Sequence, residues 1–279
     1  MNTGSIQELD AWLREDGWGE VHSYWSALPQ TPVRAVLKIK TPMVLAGLEW
    51  FEAVFKRVDP SVGAKLQFLK NYEGKYYPEK IEIDFPQPLS WSTAISSERL
   101  ALNLIHRASS VATATRELVE IARPHGIQIL DTRKTTPGLR ELEKYAVRVG
   151  GGANHRFTQT DCFMIKDNHK ELMGLKGAVD FFKGLNQPYK TLITEIHSLS
   201  ELEIARSLGL RFFMLDNFSS QDLSEACGSK RQGEFFEVSG GINKTTINKF
   251  LVKGVDALSV GKITQFPDAV DISFKFKPE

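Results

Sequence analysis

From Ile127 onward the chain repeats one pattern: a short apolar run, a polar break, then a stretch with apolar residues at helical spacing. The apolar runs are IQILDT, CFMIK, TLITEI, RFFMLD, FFEVSG and DALSVG. The helical stretches between them include PGLRELEKYAVRV, LKGAVDFFKGL, LSELEIARSL and NKTTINKFLVKG. Strands this apolar along their whole length belong in a parallel sheet covered on both faces. Six or seven such units suffice to curl into an α/β barrel, although an open sheet satisfies the same pattern. Pro137, behind Thr135 and Thr136, opens a helix, and Gly150 to Gly152 follow its end.

The front of the chain reads differently. An amphipathic opening (LDAWLRE), an apolar stretch (VRAVLKI), a helix (AGLEWFEAVFKRV) and two strand-like runs (KLQFLKNYE, EKIEIDF) predict a small α+β sandwich. All five tryptophans, Trp12, Trp18, Trp25, Trp50 and Trp91, fall in this part, so the composition shifts once along the chain. A long helical region capped by Ser96 or Ser97 should break near Ser109 and Ser110 and stop at Pro124 and Gly126. The domain boundary is placed inside it, giving an amino-terminal domain over residues 1–107 and a barrel over residues 108–265.

Composition narrows the function. Of the 279 residues 42% are apolar and 25% charged, with a mean hydropathy of −0.24, which excludes disordered and fibrous classes. A formal charge of +1 advertises neither nucleic acid nor an anionic membrane, so any anion site must come from local clustering. No charge-free apolar run reaches the ~18 residues of a membrane span. The opening lacks the basic and apolar regions of a signal peptide. Two cysteines, Cys162 and Cys227, are too few for a disulfide framework and suit a reducing cytoplasm.

In α/β barrels chemistry collects at the carboxyl ends of the strands. There stand Asp131, Thr132, Arg133 and Lys134; Lys166, Asp167, Asn168 and His169; Glu195; Asp216 and Asn217; Ser239, Gly240 and Gly241; and Ser259, Val260 and Gly261. The last two groups are short glycine turns that let backbone N–H groups converge on a phosphate, although tight-turn geometry alone also explains glycine. A single Lys or Arg beyond a strand is ordinarily a solvated side chain. Arg133, Lys134, His155, Arg156 and Lys166 around one mouth, in a nearly neutral chain, call for polyanionic ligands. Glu195 and Asp216 could hold a hard cation, accept from ribose hydroxyls, or simply pair with neighbouring cations. His22, His106, His125 and His197 show no ligand spacing.

The stretch DTRKTTPGLRELEKYAVRVGGGANHR, followed by DCFMIKDNH, closely resembles the quinolinate phosphoribosyltransferase family, and SERLALN, LDNF, VSGGIN, GVDALSVG and DISFKF extend the likeness from Ser97 to the end. The resemblance implies an incomplete α/β barrel of about seven strands, an amino-terminal α+β domain, and a terminal strand within 266–279 that returns to that domain. It implies transfer of phosphoribosyl from phosphoribosyl pyrophosphate to quinolinate with loss of CO2, in NAD biosynthesis, with Mg2+ and as a homodimer or an assembly of dimers. Carried onto this chain, Arg99 would reach a neighbouring subunit's pocket. Thr132, Arg133, His155 and Arg156 would surround quinolinate, Lys134 and Lys166 would bridge the two substrates, and Glu195 and Asp216 would contact ribose and magnesium. Ser239, Gly240, Gly241, Val260, Gly261 and Lys262 would hold phosphate. The chain departs from the family pattern at EDGWGEVHS, at SSVAT (Ser109–Thr113), at Ile193 and at Gln265. Three other readings share the barrel: a phosphoribosyltransferase for a monocarboxylate such as nicotinate, a Schiff-base lyase using Lys134 or Lys166, and a non-catalytic oxyanion binder.

Overall fold

The computed structural model describes residues 3–20 and 27–278; His22, Trp25 and the Val21–Ser23 end of EDGWGEVHS lie outside the described residues. In chain order the elements are α1 (Thr3–Glu15), β1 (Pro32–Ile39), β2 (Met43–Val44), α2 (Leu48–Val58), α3 (Gly63–Leu66), β3 (Tyr76–Tyr77), β4 (Ile81–Asp84), β5 (Leu89–Ser90) and α4 (Trp91–Ala122). There follow β6 (Gln128–Leu130), α5 (Arg140–Val149), β7 (Phe163–Ile165), α6 (Asp167–Gly184), β8 (Leu192–Ile196) and α7 (Leu199–Ser207). The chain then forms β9 (Phe212–Asp216), α8 (Ser220–Gly228), β10 (Phe235–Ser239), β11 (Ala257–Ser259), α9 (Lys262–Gln265) and β12 (Ile272–Pro278). They fall into two compact units, residues 1–114, 136–150 and 267–279 in the first, and residues 115–135 and 151–266 in the second.

In the first unit, β1 is flanked by β4 and β12, both antiparallel to it, and β5 also pairs with β1. DISFKF therefore lies in this unit's sheet, with Phe274 opposite Leu37. Its core is aromatic. Phe274 meets Phe51 and Phe55 of α2 edge-on at centroid distances of 5.6 and 5.8 Å and Phe85 at 5.1 Å, an arrangement that adds quadrupole attraction to buried area. Gly47 sets the start of α2: its φ is +90°, and a Cβ there would lie 2.8 Å from Cβ of Ala108. Both Glu73 oxygens cap that helix, each accepting at 2.9 Å from the N–H of Gly47 or Leu48.

Several expectations change here. KLQFLKNYE is helical rather than extended, because its buried residues Leu66 and Leu69 follow Val62 at helical spacing. The long helix does not break at Ser109 and Ser110. Their hydroxyls bond within the first unit, Ser109 Oγ accepting from Ala46 N–H at 3.0 Å and Ser110 Oγ donating to the His106 carbonyl at 2.7 Å. The helix begins at Trp91, and its cap is Ser90, whose Oγ accepts from Thr93 N–H, rather than Ser96 or Ser97. The chain passes between units at Ala114–Thr115 instead of 107–108. Helix α5 belongs to the first unit, because its buried Glu143 pairs with Arg107 at 2.7 Å and accepts from Thr136 N–H.

In the second unit all six apolar runs form parallel strands, ordered β6-β11-β10-β9-β8-β7. The first strand pairs with the last, as barrel closure requires. A single parallel bridge, Leu130 to Ala153, occupies a seventh position on the free side of β6. Among the described residues no ladder joins that position to β7, so this is an incomplete barrel of six strands and one bridge. NKTTINKFLVKG forms only a short 3-10 turn over Ile247–Phe250, since Asn243 accepts from Thr245 and Thr246 N–H and commits the segment to a side-chain-closed turn. No helix among the described residues is long and apolar enough to cross a membrane.

Phe274→Ala is expected to cost about 3–5 kcal/mol of stability, the usual loss for a fully buried phenylalanine. Urea unfolding followed by far-UV circular dichroism checks this.

Candidate active site

Strand order arranges the chemistry around the barrel mouth. Side chains alternate along a strand, so residues two apart share a face. Met164 with Lys166, and Met214 with Asp216, line the same cavity, and Glu195, Ser239, Thr132 and Lys134 join them from their own strand ends. The cavity has a volume of about 760 Å³ and is lined entirely by residues of the second unit. Around the ring, the cations of β6, of the bridged segment and of β7 come first, the acids of β8 and β9 next, and the glycine turns after β10 and β11 last.

Of the residues singled out in the sequence, Thr132, Arg133, Lys134, His155, Arg156, Lys166, Glu195, Asp216, Ser239, Gly240, Gly241, Gly261 and Lys262 all line this cavity. Two do not. Val260 is buried, and its N–H donates to the Leu130 carbonyl at 2.9 Å, so the sheet already uses the group a phosphate would need. Arg99 is exposed on α4 in the first unit.

The positive arc is short of counter-charge. Among the described residues Arg133, Lys134, Arg156 and Lys262 form no ion pair with any carboxylate of the chain, and Lys166 reaches Glu195 only at 3.4 Å. Arg133 Nε is buried without a hydrogen-bond partner. Arg156 donates to the carbonyls of Gln159 and Cys162 and lies 3.7 Å from Met164 Sδ. Burial holds its guanidinium below the ordinary value, and the charge of Arg133 adds to this. Both guanidiniums thus hold donors ready for an anion that the protein does not supply.

The negative arc is braced. Asp216 accepts from the Ser239 hydroxyl and from Asn217 Nδ2 at 2.8 Å. Asn217 adopts φ +56°, and Gly240 must be glycine beside it, because a Cβ there would lie 2.2 Å from Asn217 Oδ1. Asp167, Glu195 and His197 bring one donor atom each within 4.8 Å of one another. His197 had no visible spacing, yet its Nε2 lies 2.6 Å from Asp167 and its Nδ1 3.8 Å from Asp216. Asp167 is already engaged: burial raises its carboxyl, but hydrogen bonds from Lys170 and His197 outweigh this and hold it below the ordinary value. Glu195 and Asp216 are the acids that combine a cavity position with oxygen donors suited to a hard cation.

The sequence reading missed Glu237. It lies under the cavity on β10, 2% exposed, accepting from the Ser259 hydroxyl and 3.3 Å from His155 Nε2. Its spacing of two from Ser239 was the available signal: a charge at inward parity within an otherwise apolar strand. Asp131, also fully buried, accepts from Asn154 Nδ2 and from His155 N–H, which fixes the loop that delivers His155 and Arg156.

The chain is similar to known proteins over most of its length. Residues 111–275 match the family model described as quinolinate phosphoribosyl transferase, C-terminal domain. The human nicotinate-nucleotide pyrophosphorylase [carboxylating] is 34% identical, with 96% of this chain and 90% of the relative covered. A probable enzyme of the same name from Methanocaldococcus jannaschii is 33% identical over 92% of this chain and 91% of its own length. The solved structure of the nicotinate-nucleotide pyrophosphorylase from Francisella tularensis superposes with a TM-score of 0.85 at 30% identity, covering 99% of this chain and 98% of that one.

Gly240→Ala is expected to lose about 1–3 kcal/mol, the cost of forcing a side chain into a disallowed backbone region. Gly241→Ala, with no atom within 4 Å of its would-be Cβ, should lose less. Equal losses in denaturant unfolding would show that the contact with Asn217 is unimportant.

Proposed function

The chain belongs to the quinolinate phosphoribosyltransferase family, and from that footing we propose that its cavity joins quinolinate to phosphoribosyl pyrophosphate, giving nicotinate mononucleotide, pyrophosphate and CO2. One observation carries the reading: four cations, Arg133, Lys134, Arg156 and Lys262, line a single cavity and form no ion pair with a carboxylate among the described residues. Two adjacent ring carboxylates and a chain of phosphates are ligands that such a site requires.

The ring nitrogen forms a bond to the anomeric carbon as the bond to pyrophosphate breaks, and the electron pair leaves with the pyrophosphate. The bond to the adjacent carboxylate then breaks, its electrons pass to the ring carbon beside the cationic nitrogen, and that carbon takes a proton. Arg133 and Arg156 bind the carboxylates, since planar guanidiniums pair with carboxylates through two parallel bonds where an ammonium offers a point charge. Lys134 and Lys166 stand between that end and the phosphates. Glu195 and Asp216 face the sugar and favour the positive charge that grows on it. Asp216 is held for this by Ser239 and Asn217. The turns at Ser239–Gly241 and at Gly261–Lys262 receive phosphate through backbone N–H groups and the Lys262 ammonium.

Magnesium fits the same residues, because it is usually held by one or two carboxylates together with phosphates and water, and Glu195 and Asp216 offer that set. When bound, the ion neutralises charge on the leaving pyrophosphate. Arg99, exposed and outside the cavity, is the residue we assign to a partner's pocket, in a homodimer or a larger assembly of dimers. Two free cysteines suit a reducing compartment, and we place the reaction in the cytoplasm.

Incubation with phosphoribosyl pyrophosphate, magnesium and either quinolinate or nicotinate should yield nucleotide and CO2 with quinolinate alone. Nucleotide from nicotinate without CO2 would favour the monocarboxylate reading, and product from neither would refute the assignment. Arg133→Ala and Arg156→Ala should each lower kcat/KM by about a hundredfold, with thermal melting little changed; wild-type kinetics in both would remove the carboxylate role.

Arg99→Ala should be inactive alone but regain activity when mixed subunits are formed with Lys134→Ala. Failure of this complementation in verified mixed dimers would exclude a shared pocket.

A further inference from the structure

Arg156 stands at the head of a turn, FTQTDC, that runs to the start of β7. Phe157 to Asp161 are all exposed, so burial does little to fix the shape of this turn. One side chain does so instead. Asp161 Oδ2 accepts from the backbone N–H groups of Phe157 and Thr158 at 2.7 and 2.8 Å, and its Oδ1 accepts from the Thr158 hydroxyl at 2.7 Å. Thr158 Oγ1 in turn accepts from the Thr160 N–H at 3.3 Å. The Lys190 ammonium, just before β8, donates to the Thr160 carbonyl and ties the closed turn to the sheet. Hydrogen bonds from Thr158, its backbone N–H first, hold the Asp161 carboxyl below the ordinary value.

The closed turn presents two carbonyls to one nitrogen: Arg156 Nη1 donates to Gln159 O at 3.2 Å and to Cys162 O at 3.1 Å. Asp161 lies between those two residues, yet among the described residues it forms no ion pair with Arg156. We propose that Asp161 is a positioning residue: by closing the turn it aims the Gln159 and Cys162 carbonyls at Arg156 and holds the guanidinium in place before a substrate carboxylate arrives. A carboxylate set directly on Arg156 would compete with that of the substrate, whereas one that binds the backbone behind it engages N–H donors and leaves the guanidinium charge free. Ordering the side chain in advance removes an entropy cost that binding would otherwise meet. Asp131 fixes the near end of the same segment by accepting from the His155 N–H at 2.9 Å. The proposal rests on the cavity being the quinolinate site, but its first test does not depend on activity.

Crystals of the full-length chain, free of substrates, are compared for the wild type and Asp161→Ala. The guanidinium is expected on both carbonyls in the wild type and off them in the variant. A guanidinium that stays on both in the variant, or lies off them in the wild type, overturns the proposal. Kinetics then separate positioning from folding. Asp161→Ala should raise the KM for quinolinate about tenfold, more than kcat falls, with the KM for phosphoribosyl pyrophosphate unmoved. Asp161→Asn keeps an oxygen for the two N–H groups and offers its NH2 to the Thr158 hydroxyl, so its KM should stay within about threefold of wild type. In an Arg156→Ala background Asp161→Ala should add no further loss, because the two act through one group. Additive losses, or an Asn variant as impaired as the Ala variant, would overturn it. If Asp161→Ala fails to fold, Thr158→Val, which removes only the hydroxyl bound by Oδ1, replaces it in both measurements with an expected rise of about threefold. Wild-type protein that does not turn over quinolinate refutes the reading of the cavity, and the crystal comparison still judges Asp161.

Discussion

The second unit is organised around uncompensated positive charge. Arg133 and Arg156 sit at adjacent positions of the barrel mouth, one with a buried nitrogen lacking a partner and the other shifted by burial and by its neighbour. Like charges held this close oppose folding, and the opposition is strongest where water is excluded. The rest of the unit can be understood as the scaffold that keeps them there. Asp131 fastens the loop carrying His155 and Arg156, and the Cys162 and Gln159 carbonyls orient the Arg156 guanidinium without neutralising it.

The incomplete barrel serves the same end. Among the described residues no ladder spans the seam between the bridge at Ala153 and β7, and Arg156 hydrogen-bonds to backbone carbonyls at that place. Carbonyl dipoles steady the side chain but leave its net charge in place, so it remains available to a carboxylate. Binding an anion to such a site stabilises the folded state by mass action as well as supplying affinity.

Ordinary stability comes from elsewhere. The aromatic core around Phe51, Phe55, Phe85 and Phe274 holds the first unit. Ion pairs on the outer layer of the second unit, such as Arg206 with Glu234 at 2.7 Å, bind its helices and loops. The carboxylates near the mouth are held apart from the arginines by other partners: Ser239 and Asn217 orient Asp216, and Lys170 and His197 engage Asp167.

By itself the chain's pattern was enough to identify all six barrel strands, the two-part organisation and most of the charged residues that line the cavity, because strand-end position is a one-dimensional property and parallel barrels put their strand ends together. Where the pattern misled, long-range partners overrode local preference. Ser109 and Ser110 looked like a break until their hydroxyls met Ala46 and Val270, and α5 looked like barrel until Glu143 met Arg107. Val260 looked available for phosphate, although its N–H belongs to the ladder with Leu130. Only the tertiary structure could decide which cations lack an ion pair among the described residues, because charge compensation depends on distances between residues remote in sequence, as with Lys166 and Glu195 on neighbouring strands.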